Sequence, residues 1–232
     1  MTDTRRAVAG HPSSFWEAVD PADRAVLTEA STRVPIPADR QFVTQGDDSD
    51  HLVVLLRGWV KVVCESPAGY RAVLGLRGPG ELLGDQAAVE RRRRSASLLT
   101  ATSAELLEIP AARFHALARS HPGIAAALEQ TLSQRLREAD LQRTGLTEPV
   151  PVRLAALLLE LVERCGVPEP DGTGRRIAIP LSQDDLAGLL LTSRRTVSRA
   201  VVQWREQGWL VTGRQSLVIR SLDRLKAEAF GR

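Results

Sequence analysis

From Ile124 to Thr144 the chain contains neither proline nor glycine. Ile124, Leu128, Leu132, Leu136 and Ala139 recur along one side of a helix, while Glu129, Gln134, Arg137 and Glu138 fall elsewhere. Pro122 suits a first turn and Gly145 a C-terminal stop. A helix of about 20 residues is about 30 Å long, more than one small sheet covers. An apolar stripe on such a helix calls for a partner helix, and hence for a homodimer. The alternative is packing against the chain's own sheet.

The periodicity on either side of this helix differs. Pro12 to Ser31 reads as helical, with Phe15, Trp16, Val19, Ala22, Val26 and Leu27 at helical spacing, after a loose polar tail over residues 1–12. From Val34 short apolar runs alternate with turn residues: Gln41–Val43, His51–Leu56, Trp59–Cys64, Tyr70–Leu76, Ser95–Ala101 and Ala104–Ile109. Gln45-Gly46-Asp47-Asp48, Ser66-Pro67-Ala68-Gly69 and Gly78-Pro79-Gly80 punctuate them. Regular short strands with glycine and proline between them predict an antiparallel sandwich or barrel. Gly80 to Ser95 reads as a loop.

Beyond a hinge-like break at Thr147–Pro151, Val152 to Arg164 reads as an apolar helix and Gly166–Gly174 as a loop. Ile177–Pro180 reads as a short strand. Ser182 then caps a short helix carrying Leu186, Ala187, Leu189 and Leu190, with Asp184 and Asp185 at its positive end. After Leu191-Thr192-Ser193 a second helix runs from Arg194 to Gln207, burying Val197, Val201 and Trp204, and Gly208 ends it. Trp209–Val211 and Ser216–Ile219 form two β-runs around Gly213-Arg214-Gln215. Helix, tight turn, helix and hairpin make a winged helix-turn-helix, whose second helix enters the major groove. Arg194, Arg195, Ser198 and Arg199 share one face of that helix. Arginine supplies the fork of donors that reads guanine, and Thr192 or Ser193 caps the helix and touches phosphate. The alternative for this face is a solvated basic surface.

Charge placement agrees. Residues 149–232 hold 13 Arg and Lys against 9 Asp and Glu, whereas the first 148 residues hold 18 against 19. The excess positive charge therefore lies wholly in the last third, which is compatible with a polyanionic partner such as nucleic acid and equally with a solvated surface. The two cysteines, Cys64 and Cys165, stand far apart with no CxxC pair, so zinc-ribbon, thioredoxin-like and clustered iron–sulfur sites lack support. No apolar run approaches a bilayer span, and the N-terminus lacks the apolar core of a signal peptide. These features predict a cytoplasmic chain with no membrane partner. Without a P-loop, a GxSxG or metal-ligand spacing, no enzyme is expected.

Two groups of motifs carry a resemblance. The run Leu181-Ser182-Gln183-Asp184-Asp185-Leu186-Ala187 through Ser193-Arg194-Arg195-Thr196-Val197-Ser198-Arg199 resembles the helix-turn-helix of the CRP/FNR superfamily of bacterial transcription regulators. Gln45-Gly46-Asp47, Leu56–Val62, Pro79–Asp85 and Arg94-Ser95-Ala96 resemble its β-roll. The resemblance implies an α+β protein with three parts. These are a cyclic-nucleotide-binding-like effector β-roll over residues 1–118, a dimerisation helix over 119–146 and a winged helix-turn-helix DNA-binding domain over 147–232. It implies a palindromic double-stranded operator, with RNA polymerase as a further candidate partner.

By the same resemblance Gly84, Asp85, Gln86, Arg94, Ser95 and Asp140 are the candidate effector contacts. The carboxylate would hold a ribose hydroxyl, and arginine with backbone N–H groups would neutralise a cyclic phosphate. The chain departs from the family pattern at several of them. Asp85 stands where Glu is usual, Gln86-Ala87 replaces the common pair, and Ala139 and Asp140 stand where hydroxyl side chains face the adenine. A cAMP-like nucleotide, a cyclic dinucleotide attracted by Arg91–Arg94, or no nucleotide at all therefore remain as readings. Solvated loop charge is the alternative for the arginine run. Cluster and haem sensing are disfavoured by the cysteine and histidine placement. In the recognition helix Arg199 matches a guanine-reading arginine, whereas Arg195 replaces a Glu that accepts from cytosine. The expected half-site keeps the guanine and changes the other base.

Overall fold

The computed structural model describes residues 14–66, 69, 71–90, 92–213 and 215–231. The expected tail over residues 1–12 lies outside the described residues, as do Tyr70, Arg91 and Arg214. In place of one helix near the N-terminus there are two. α1 (Phe15–Ala18) and α2 (Pro21–Glu29) are parted because Asp20 caps α2 and Pro21 opens it. β1 (Thr32–Ile36), β2 (Gln41–Val43), β3 (His51–Arg57), β4 (Val60–Glu65) and β5 (Arg71–Arg77) follow. Next come β6 (Leu82–Leu83), α3 (Asp85–Glu90), β7 (Ser97–Thr100) and β8 (Ala104–Pro110). The expected loop after Gly80 thus contains a short strand and a helix. Asp85 in the first turn of α3 suits the helix dipole.

The strands form two antiparallel four-stranded sheets, β1-β8-β3-β6 and β2-β7-β4-β5. Val53, Leu55, Val60, Leu98 and Leu106 fill the space between them. The outer face of the first sheet is covered by α1, α2, α4 (Ala111–Ser120) and the start of α5 (Pro122–Gly145), through Phe15, Leu27, Leu52, Phe114 and Ile124. The apolar stripe of α5 therefore divides. Ile124 and Ala127 are buried on the chain's own roll, whereas Leu132, Leu136 and Leu146 are exposed.

The C-terminal unit comprises α6 (Val150–Cys165), β9 (Gly166–Pro168), β10 (Arg175–Ile177), α7 (Gln183–Leu189) and α8 (Arg194–Glu206). β11 (Leu210–Gly213), β12 (Ser216–Ile219) and α9 (Leu222–Phe230) complete it. Its sheet runs β11-β12-β10-β9, so the expected loop at Gly166 starts as a strand and β10 lies earlier than Ile177–Pro180. Leu154, Leu158, Leu161, Leu186, Val197, Val201, Trp204 and Leu225 make its core.

That core continues into the β-roll. Val63, Val73 and Leu76, on the outer face of the β4–β5 hairpin, belong to the same buried cluster. Burying side chains of this size contributes about 1.5–3 kcal/mol each. Lys61 donates to Asp185 at 2.7 Å, both side chains being largely buried. Arg164 lies over the Trp59 ring at 5.2 Å and pairs with Glu81 at 3.5 Å. The closest approach is at Gly188 of α7, where an added Cβ would stand 2.6 Å from the backbone nitrogen of Val73. Gly188→Leu is expected to destabilise the protein by about 1–3 kcal/mol through overpacking. Gly145→Ala, where nothing lies within 4 Å of the added carbon, should leave the melting temperature unchanged or raised. Thermal unfolding of both variants checks this.

Candidate functional site

α8 has two faces with opposite chemistry. Ser193 is its N-cap, its hydroxyl accepting from the Thr196 amide at 3.2 Å. Val197, Ala200, Val201 and Trp204 are buried, and Trp204 stacks on Trp209 with ring centroids 5.7 Å apart. Arg194, Arg195 and Arg199 are exposed and Ser198 is half-buried, so the four residues expected to face a groove lie on the outward side. Arg194 meets Asp184 of α7 at 3.5 Å, an exposed pair that constrains it little. Among the described residues Arg195 and Arg199 form no ion pair, and their donors are free for another acceptor.

The turn before α8 is tight. The Thr192 amide donates to the Ala187 carbonyl at 2.9 Å, and Leu191 takes the left-handed conformation with φ 49°. α7 opens with a reciprocal cap. Ser182 Oγ accepts from the Asp185 amide at 3.0 Å, and Asp185 Oδ2 accepts from the Ser182 amide at 2.8 Å. That same carboxylate receives Lys61, so the first helix of the motif is held by its own cap and by the roll.

The second site lies on the β-roll at the start of α3. Gly84 has φ +74°, and a side chain there would run into the Arg94 guanidinium and the His51 carbonyl. Arg94 is 4% exposed. Its Nε donates to Ser49 Oγ at 2.9 Å, Nη1 to the Gly84 carbonyl at 3.1 Å and Nη2 to the His51 carbonyl at 2.6 Å. Burial draws its pKa down, and the carboxylates of Asp50, Asp47, Glu108 and Asp85 oppose that. Burial also lowers the His51 pKa, against the nearby Glu108. Ser95 donates to Gln86 Oε1 at 2.9 Å, bringing those two residues together.

Asp85 is buried, and Arg135 of α5 donates to its Oδ1 at 2.5 Å and also to the Leu82 carbonyl. Among the described residues Asp85 Oδ2 has no hydrogen-bond partner, a costly state for a buried carboxylate oxygen. Asp140 stands apart from this cluster, its exposed side chain meeting Arg143 at 3.7 Å. Of the arginine run, Arg93 pairs with Asp48 at 3.0 Å on the surface and Arg92 is exposed. Arg135 is the residue that sequence reasoning missed. It falls one turn before Ala139 on α5, but its partner lies 50 residues upstream.

Comparison with known proteins identifies both domains. A family model described as cyclic nucleotide-binding domain matches residues 33–121, and one described as Crp-like helix-turn-helix domain matches residues 152–228. The chain is 33% identical to the cyclic AMP receptor protein of Thermus thermophilus, covering 84% of this chain and 87% of that protein. It is 27% identical to a CRP-like cAMP-activated global transcriptional regulator of Mycobacterium tuberculosis, covering 94% and 96%. The solved structure of the c-di-GMP responsive regulator CLP of Xanthomonas campestris superposes with a TM-score of 0.74 at 25% identity, covering 87% of this chain and all of that one. The chain belongs to the CRP-like family of transcription regulators, with a cyclic nucleotide-binding domain followed by a Crp-like helix-turn-helix domain.

Proposed function

We propose that this regulator binds a palindromic operator as a homodimer, reading each half-site with Arg195, Ser198 and Arg199. Arg194, Thr192 and Ser193 would position the helix on phosphate. The observation that carries this is the outward face of α8, whose Arg195 and Arg199 are exposed and form no ion pair among the described residues. Arg199→Ala is expected to weaken binding to a selected operator by about 1–3 kcal/mol per half-site, roughly five- to 150-fold for each, at an unchanged melting temperature. Anisotropy titration checks this. Equal operator affinity in variant and native protein would exclude the contact. RNA polymerase is a further candidate partner, and residues 1–118, 119–146 and 147–232 are the proposed working divisions of the chain.

Pairing of two α5 helices through Leu132, Leu136, Ala139 and Leu146 would form the dimer. Leu132, Leu136 and Leu146 are all exposed on that side, Leu136 at 63%. Leu136→Asp should convert a dimer to a monomer in sedimentation analysis, and a dimer that survives the change would place the interface elsewhere.

The effector site is proposed around Gly84, Asp85, Gln86, Arg94 and Ser95, with Arg135 added and Asp140 peripheral. The unpartnered Asp85 Oδ2 suits a ligand hydroxyl, as on the ribose of a cyclic nucleotide. Calorimetry with cAMP, cGMP and cyclic di-GMP is expected to show binding that Asp85→Asn weakens tenfold or more. A second reading, DNA binding without nucleotide, is favoured by Arg94 and Arg135, whose donors are already committed to protein acceptors. Absence of binding for all three nucleotides selects that second reading.

A further inference from the structure

The β4–β5 hairpin runs alongside the helix-turn-helix, and its residues alternate between two environments. Val63 and Val73 face each other in the ladder, and both lie in the C-terminal core. Two residues further toward the hairpin tip, Glu65 faces Arg71. A pleated strand returns to the same face every second residue. Arg71 therefore stands on the face that Val73 turns to α7, one step beyond it. Val73 is the residue whose backbone abuts Gly188 in the last turns of α7. The next step in the same direction along the motif is its turn, Leu191-Thr192-Ser193.

Ala72, beside Arg71, lines a cleft of about 440 Å³ whose other walls are Gly188, Leu191, Thr192 and Ser193. Its lining is mostly apolar or hydroxylic, with no carboxylate. Arg71 is exposed and forms no ion pair among the described residues, although Glu65 lies opposite it in the ladder. The cleft thus has two hydroxyl side chains on one wall, and Arg71, exposed and without an ion pair among the described residues, is the chain neighbour of Ala72 on the other. Contacts of this kind go to backbone phosphate, fixing register without reading sequence.

We propose that this cleft is a seat for an operator phosphate and that Arg71 of the β-roll is part of the DNA interface. The DNA is then held from two sides, by the turn of the helix-turn-helix and by the effector-domain hairpin. This rests on the reading of α8 as the groove helix, and the test separates the two. Neutralising one phosphate contact removes about 0.9 from the slope of log K against log salt. A dimer carrying Arg71→Ala should therefore lose about 1.8 in slope.

The measurement is anisotropy of the full chain, with and without cyclic AMP. It uses a duplex selected by the native protein from a random pool and an unselected duplex of equal length. Arg71→Ala is expected to weaken both duplexes about three- to tenfold at moderate salt, with the ratio between them unchanged. Arg71→Lys, which keeps the charge, should retain the native slope. A native slope in Arg71→Ala overturns the proposal, and so does a loss in Arg71→Lys equal to that in Arg71→Ala. Arg199→Ala in the same series should instead collapse the ratio between duplexes. If that ratio persists, the groove-helix reading fails while the result for Arg71 still stands on its own slope.

Discussion

The packing of α7 on β5 is the contact on which the rest of the molecule depends. It forms because Gly188 has no side chain, which lets the helix backbone reach the Val73 backbone. Val63, Val73 and Leu76 are thereby buried together with Leu186, Val197 and Trp204 in one cluster. Around this contact the charged groups fall into place: Lys61 on the Asp185 cap, and Arg164 between Trp59 and Glu81. Beside it, α6 meets the roll through Arg164, at Trp59 and Glu81. With it, the hairpin and the DNA-reading unit share a continuous interior, which a displaced side chain on either side must disturb.

The long helix provides the other connection. Its first turns are buried on the roll through Ile124 and Ala127, and three turns later Arg135 reaches Asp85 and the Leu82 carbonyl at the start of α3. A ligand hydroxyl at Asp85 would compete with this pair or add to it, and either outcome acts on α5 directly. Coupling between effector and DNA requires a ligand to have different affinity for two arrangements of the chain. In the proposed effector site the Asp85–Arg135 pair is where such a difference can arise with few atoms moved.

Much of this was legible in the sequence, for identifiable reasons. α8 announced itself through local signals: a Ser193 cap, apolar residues at helical spacing and Gly208 after its end. The strands of the roll were readable because turn residues separate them at short, regular intervals. Elements with weak local signals were read less well. α3 is six residues long, and nothing in Asp85–Glu90 distinguishes it from a loop. α1 and α2 read as one helix because the break at Asp20 follows only from its cap. The least legible features join distant positions: Asp85 with Arg135, and Lys61 with Asp185, which are 124 residues apart. Near Gly84 the motif singled out Arg94 but not the direction of its guanidinium. That depends on the His51 and Gly84 carbonyls and on Ser49.

The two faces of α8 have an evolutionary consequence. Val197, Ala200, Val201 and Trp204 carry its share of the core, while Arg195 and Arg199 make no ion pair within the described chain. Replacement on the outer face leaves the packed face intact, so such changes fall in the class that costs little stability. On the proposed reading of this face, operator preference can therefore drift among paralogues after gene duplication without passing through unfolded intermediates. Arg94, bound at all three nitrogens inside the roll, has no such freedom. Over evolutionary time the DNA vocabulary of a regulator built this way can diversify faster than the framework around Arg94.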